Sequence, residues 1–209
     1  EAAQLAVLAA HGDDAFAEDV EREIVAGQGR VVDVAHDVPC LGEHLLERVL
    51  RSGWRQRMRS WYVLFFQIPW LPEKLLGMRG ARMIGEAFRG MAVDKSRFPE
   101  EVLDVYRRAA LEPGALTAMI NYYRAAVRGG GGRRQRSLGY PKIDTPTLMV
   151  WGEQDTALGV ELTDGTQDFV GDFTLRRLAN ASHWVQQDAP EEVNAILREW
   201  LSECRGRST

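Results

Sequence analysis

The sequence has 209 residues, 45% of them hydrophobic and 27% charged, which suits a soluble globular protein of one domain or one domain with an insertion. A net charge of −4 argues against nucleic-acid or anionic-membrane binding. No apolar run approaches a membrane span, and the acidic start is unlike a signal peptide. Cys40 and Cys204 lie far apart at no metal-ligand spacing and read as free thiols, so a reducing, cytoplasmic setting is expected.

The chain opens on Gln4–Ala10, small and apolar, which suits a buried strand or a short helix. His11-Gly-Asp-Asp14 follows with turn chemistry, and Ala15–Ala26 reads as a helix ended near Gly27 and Gly29. Arg30-Val-Val-Asp-Val-Ala35 is β-branched and short, as a strand should be. Strand, helix, strand in this order predicts part of a parallel α/β sheet. From Leu41 to about Arg128 the character changes to long helices rich in Trp, Phe, Tyr and Met, punctuated by Pro69, Pro72, Pro99 and Pro113. Trp61-Tyr-Val-Leu-Phe-Phe66 is the most hydrophobic stretch and is expected to be a buried helix or a cavity lining. Helices are predicted from Phe98 through Arg108 and from Pro113 to Val127.

Gly129–Gly132 and Arg133-Arg-Gln-Arg136 read as a flexible basic linker. Past it the α/β pattern returns. Thr147-Leu-Met-Val-Trp151 is a strand, Gly152-Glu-Gln-Asp155 the loop leaving it, and Phe173–Leu178 a second strand after a loop and helix ending near Val170. The last helix spans roughly Pro190–Cys204, with Val193, Ile196, Leu197, Trp200 and Leu201 on one face. The expected organisation is a partial α/β core over 1–40, a helical lid over 41–137 and a C-terminal α/β core over 138–209.

Two residues of the last part suggest chemistry. His183 sits in a strand-to-helix loop, and Asp155 follows a strand, so together they suit the general base and orienting acid of a hydrolase. Each also has an ordinary reading: an aspartate after a strand caps turns, and a loop histidine sits at the surface. Tyrosines within aromatic helices usually pack in a core.

Four stretches in this order carry a resemblance: Arg59-Ser-Trp-Tyr-Val-Leu-Phe-Phe-Gln67, Leu116-Thr-Ala-Met-Ile-Asn-Tyr-Tyr-Arg124, Trp151-Gly-Glu-Gln-Asp155 and Ser182-His-Trp-Val-Gln-Gln-Asp188. From about Arg59 to Leu201 the chain resembles the lid and C-terminal half of an epoxide hydrolase of the α/β-hydrolase fold. The resemblance implies a partial α/β-hydrolase fold: a parallel sheet with an inserted helical lid. It implies conversion of a lipophilic epoxide to a vicinal diol through an aspartyl ester, without metal or cofactor. Tyr62 and Tyr123 match the two lid tyrosines that bind the epoxide oxygen, Asp155 the acid and His183 the base. Tyr122 is the neighbour that competes with Tyr123, and Phe66 and Trp184 are the expected substrate contacts. Assembly into a homo-oligomer stays open.

The family's nucleophile elbow is a small residue, a histidine, the nucleophilic aspartate, an aromatic and two small residues. In Ala10-His-Gly-Asp-Asp-Ala15 a glycine stands where the nucleophile belongs and Asp13 is one position late. In Ala35-His-Asp-Val-Pro39 the start fits, but Pro39 stands where a small residue should enter a helix. Spacing to Tyr62 favours Asp13 over Asp37 as the nucleophile. The family's earlier strands and its His-Gly-x-Pro loop find no match in this sequence. Two expectations follow, a truncated or frame-damaged hydrolase or a non-catalytic relative that binds lipophilic ligands. A haloalkane dehalogenase is the further alternative; a serine esterase lacks its Gly-x-Ser-x-Gly motif here.

Overall fold

The computed structural model describes residues 6–9, 54–128, 137, 139 and 142–207. Asp13, Asp37, Cys40, the strand expected at Arg30–Ala35 and the arginine-rich linker lie outside the described residues.

Three strands form one sheet in the order β1 (Ala6–Ala9), β2 (Thr147–Gly152), β3 (Phe173–Leu178). β2 and β3 run parallel, from Thr147 opposite Phe173 to Gly152 opposite Leu178, as the C-terminal pattern predicts. β2 is buried along its whole length, which is why its sequence is a continuous apolar run and not an alternation. β1 departs from the expected parallel sheet by pairing antiparallel with β2, Ala6 opposite Val150 and Ala9 opposite Thr147. So long a stretch of chain separates the two strands that connectivity imposes no direction on their pairing.

The core of this half joins Leu148, Met149, Val150 and Trp151 of β2 to Val193, Leu197, Trp200 and Leu201 of the terminal helix. That helix, α7 (Pro190–Arg207), starts with proline at its first position and Glu191 and Glu192 in its first turn, both favourable at a helix N-terminus. Its buried residues recur at helical spacing, and each contributes about 2 kcal/mol of apolar burial. A short helix, α6 (Val185–Asp188), precedes it. Where a helix ending near Val170 was expected, the chain makes two single 3-10 turns, Val160–Thr163 and Thr166–Asp168. Gly165 enters the second at φ 75°, a left-handed conformation that stops a longer helix there.

The helical segment holds α1 (Trp54–Arg59), α2 (Trp61–Phe65), α3 (Leu71–Met91), α4 (Glu100–Leu111) and α5 (Ala115–Arg128). α3 packs on α4 and α5 through Ala81, Ile84, Ala110 and Leu116. It is not one straight helix. Arg79, Gly80 and Ala81 take φ values of 52°, 66° and 54° and split it in two. Only Gly80 adopts that region freely; Arg79 and Ala81 are each disfavoured there by about 1–2 kcal/mol. Full burial of Ala81 against Ile84 and Ala110 offsets part of that cost. α2 also departs from expectation. Val63 is buried, but Trp61 and Leu64 are 62% and 69% exposed, so the most hydrophobic stretch presents one face inward and one outward.

The two halves meet through specific contacts. Trp184 stacks on Phe88 of α3, with ring centroids 4.3 Å apart, and Phe88 stacks on Tyr106 of α4 at 4.2 Å. Arg97 reaches Glu191 of α7 at 3.4 Å, an exposed pair of small energetic weight. No helix among the described residues is long and apolar enough to cross a membrane.

Gly152 decides how closely the end of β2 approaches the loop after β3. A Cβ placed there would lie 2.1 Å from the Ser182 carbonyl oxygen and 2.4 Å from that of Ala181, and both are backbone atoms that cannot rotate away. Gly152→Ala is therefore expected to destabilise the protein by about 2 kcal/mol, through forced separation of the end of β2 from the loop after β3. Equilibrium urea unfolding measures this, and a variant as stable as the wild type would refute the constraint.

Candidate functional site

Past Gly152 the chain is stitched to the loop after β3. Glu153 N–H donates to the Leu178 carbonyl at 3.0 Å, Gln154 N–H to that of Ala181 at 3.0 Å, and the Gln154 side-chain amide to that of Ala179 at 2.9 Å. These bonds bring Asp155 and His183 to the same place from positions 28 residues apart.

The Asp155 carboxylate divides its work between its two oxygens. Oδ1 accepts the backbone N–H groups of Ala157 at 2.7 Å and Leu158 at 2.8 Å. Oδ2 lies 2.7 Å from His183 Nδ1. The turn-capping role and the histidine-orienting role therefore coexist in one side chain. Both partners are 7% exposed, so water competes little for the bond. An imidazole that donates Nδ1–H to this carboxylate presents the lone pair of Nε2 on its other side.

The His183 loop has its own support. The Asp188 carboxylate accepts Ser182 N–H through Oδ2 at 2.7 Å, and Ser182 Oγ accepts Trp184 N–H at 3.2 Å. The His183 ring meets the Trp184 indole edge to face at 4.8 Å. Trp184, expected as a substrate contact, is buried with its face on Phe88. Its position joins His183 to the helical segment.

The tyrosines come together from α2 and α5. Tyr62 and Tyr123 meet edge to face at 5.7 Å, and Phe66 lies 5.0 Å from Tyr123 and 5.7 Å from Tyr62. Tyr122 is exposed and packs its ring against Tyr123 from outside. Burial raises the Tyr62 phenol above its ordinary pKa, and the negative charge of Asp155 raises it further. Burial raises Tyr123 far above the usual range. Both are therefore neutral hydrogen-bond donors over the physiological range, and Tyr62 lies within electrostatic reach of the Asp155–His183 pair.

Several supporting residues escaped the sequence reading. Arg124 donates to the carbonyls of Phe66 at 3.0 Å and Ile68 at 2.8 Å and pairs with Glu73 at 2.6 Å, fixing the turn after α2. That hydrogen bond holds the Glu73 carboxyl below its usual pKa. The Gln67 side chain donates to the carbonyls of Val63 at 3.0 Å and Tyr123 at 3.3 Å, and Arg128 donates to the Gln67 carbonyl. Arg124 and Asp188 stood inside the stretches that carried the resemblance, which was the available signal. Gln56, from α1, bonds across 101 and 103 residues to the loop beyond Asp155, and nothing local marks it. Among the described residues, no group of three or more His, Cys, Asp or Glu side chains is arranged to hold a metal ion. Asp13 lies outside the described residues, so its relation to this cluster is not part of the geometry.

No protein-family model matches the chain. Human epoxide hydrolase 4 is 34% identical over 162 residues, covering 75% of this chain and 43% of the relative. The AB hydrolase superfamily protein YfhM of Bacillus subtilis is 31% identical over 159 residues, covering 76% of this chain and 53% of the relative. The chain thus spans about half the length of the curated relatives it matches. A Bacillus megaterium epoxide hydrolase, solved in complex with an inhibitor, superposes with a TM-score of 0.59 at 21% identity, over 76% of this chain and 56% of that one. At that identity the likeness is one of fold. The chain is a relative of the epoxide hydrolases and shares their α/β-hydrolase fold over the matched residues.

Proposed function

We propose that the chain supplies the oxygen-binding tyrosines and the acid–base pair of an epoxide hydrolase acting on a lipophilic epoxide. The observation that carries this reading is the buried Asp155–His183 bond of 2.7 Å, with Tyr62 inside the field of Asp155 and in contact with Tyr123. A water-activating base and two neutral phenol donors are what opening a strained ether needs, because an alkoxide is a poor leaving group.

In this mechanism a carboxylate oxygen of Asp13 attacks one epoxide carbon and the carbon–oxygen bond on that side breaks. The departing alkoxide takes a proton from Tyr62 or Tyr123. His183 Nε2 then removes a proton from water, and the resulting hydroxide adds to the ester carbonyl. Collapse expels the diol oxygen, which takes the proton from His183, while the second water proton returns through the freed carboxyl to the phenol. Phe66, against both tyrosines, suits contact with an apolar substituent.

The test is a single turnover with a lipophilic aryl epoxide in heavy-oxygen water. The expected diol carries unlabelled oxygen from the protein, Asp13→Asn abolishes it, and Asp37→Asn does not. Absence of diol above background from folded protein would sink the catalytic reading and leave lipophilic-ligand binding in its place. Loss on Asp37→Asn alone would move the nucleophile there. His183→Gln is expected to slow ester hydrolysis about 10²-fold or more, so that the protein accumulates a covalent adduct visible by mass spectrometry.

The phenols give a separate, pH-based prediction. Each folded-state pKa lies above the ordinary value of 10.0, so as pH rises past 10.0 the unfolded chain ionises at these positions while the folded one does not. Stability present below that pH is therefore lost above it. In the native protein Tyr62→Phe with Tyr123→Phe should leave the first rise of tyrosinate absorbance unchanged, because neither phenol ionises at its ordinary pKa of 10.0. A first rise reduced by the double substitution would show the pair to be ordinary surface phenols.

A further inference from the structure

We propose that Gln56 is a positioning residue that holds the Asp155 loop and the Tyr62 helix in one register. The inference rests on the reading of Asp155, His183 and Tyr62 as reacting groups and adds a residue that joins them. Gln56 is 2% exposed, and its carboxamide makes bonds in two directions. Towards the sheet, Nε2 donates to the Ala157 carbonyl at 2.9 Å and Oε1 accepts Gly159 N–H at 3.0 Å. Towards the tyrosine helix, Nε2 donates to Ser60 Oγ at 3.0 Å.

The placement of those partners gives the side chain its role. Ala157 N–H and Leu158 N–H are the groups that hold Asp155 Oδ1, so the peptide run 157–159 is gripped by the Asp155 carboxylate on one side and by Gln56 on the other. Ser60 precedes α2, its carbonyl accepts Val63 N–H at 3.0 Å, and its own N–H donates to the Gln56 carbonyl at 3.0 Å. The helix that begins there carries Tyr62. One buried amide therefore fixes the acid from outside and sets the origin of the tyrosine helix. An apolar side chain of equal length would fill the same space. The amide differs by dictating where three polar partners sit, and each of them is costly to leave unpaired when buried.

Misplacing reacting groups by about an ångström costs on the order of 10²-fold in rate. The experiment compares wild type, Gln56→Met, which keeps length and volume, and Gln56→Glu, which keeps the acceptor for Gly159 N–H. Two readouts are used. One is the downfield imidazole N–H proton resonance of the His183–Asp155 bond, assigned by its loss in His183→Gln. The other is single-turnover ester formation and ester hydrolysis with an aryl epoxide. In Gln56→Met the resonance is expected to shift upfield or exchange away, and both steps to slow about tenfold or more with substrate affinity little changed. Gln56→Glu should recover part of each. If Gln56→Met fails to fold, the same readouts on Gln56→Glu decide. Wild-type resonance and rates in a folded Gln56→Met would overturn the proposal, reducing Gln56 to an anchor. Wild-type protein that forms no diol, yet loses the resonance in Gln56→Met, would refute the proposed chemistry and leave the positioning role standing.

Discussion

The close approach of two strand ends is the constraint on which the site depends. β2 and β3 run parallel and in register to Gly152 opposite Leu178, and the loops that leave them pass within backbone contact. Only a residue without a Cβ admits the Ala181 and Ser182 carbonyls that closely. Backbone bonds from Glu153 and Gln154 then take up carbonyls of the opposite loop that burial would otherwise orphan. Asp155 and His183 meet because this seam closes. The short bond between them follows from the seam as much as from their own attraction.

Around that seam polar groups are shared economically. Asp155 uses one oxygen to shape its own loop and the other to face His183, and Asp188 holds the histidine loop from behind through Ser182 N–H. Such a network keeps a charged group in a nearly dry place because most of its lone pairs are occupied. The tyrosines belong to a different physical regime. They sit in an aromatic cluster where burial is the main cause that keeps the phenols protonated, and Arg124 with Gln67 ties the turn after α2 to α5 through backbone carbonyls. The buried Tyr62 phenol, raised in pKa first by burial and then by the charge of Asp155, couples the tyrosine pair electrostatically to the acid of the other half of the chain.

Much of this was legible from residues alone where a pattern repeats. The apolar run 147–151, the β-rich run 173–178 and the stripe from Val193 to Leu201 announced β2, β3 and α7, because burial of a whole strand or one helix face leaves a periodic trace. Features without periodicity were not legible. The break in α3 passes through Arg79 and Ala81, residue types that ordinarily avoid left-handed backbone, so only packing of Ala81 against Ile84 and Ala110 accounts for it. The hydrophobic stretch at Trp61 reads as a buried helix or a cavity lining, since composition cannot say that a short helix lies at an edge with one face outward. The direction of β1 was equally hidden, because four small or apolar residues pair in either sense.

The sequence by itself determined the α/β character, the helical segment, and the residue types at Tyr62, Tyr123, Asp155 and His183, since side-chain chemistry and local spacing are properties of the chain. Tertiary structure alone decided which tyrosine faces which, with Tyr123 turned to Tyr62 and Tyr122 to solvent, and that Trp184 is committed to Phe88. It alone brought Gln56 to a loop more than a hundred residues away. The reason is physical. A hydrogen bond or ring contact has a range of a few ångströms, and which distant residues fall inside it is set by how sheet and helices pack, a quantity no local pattern encodes.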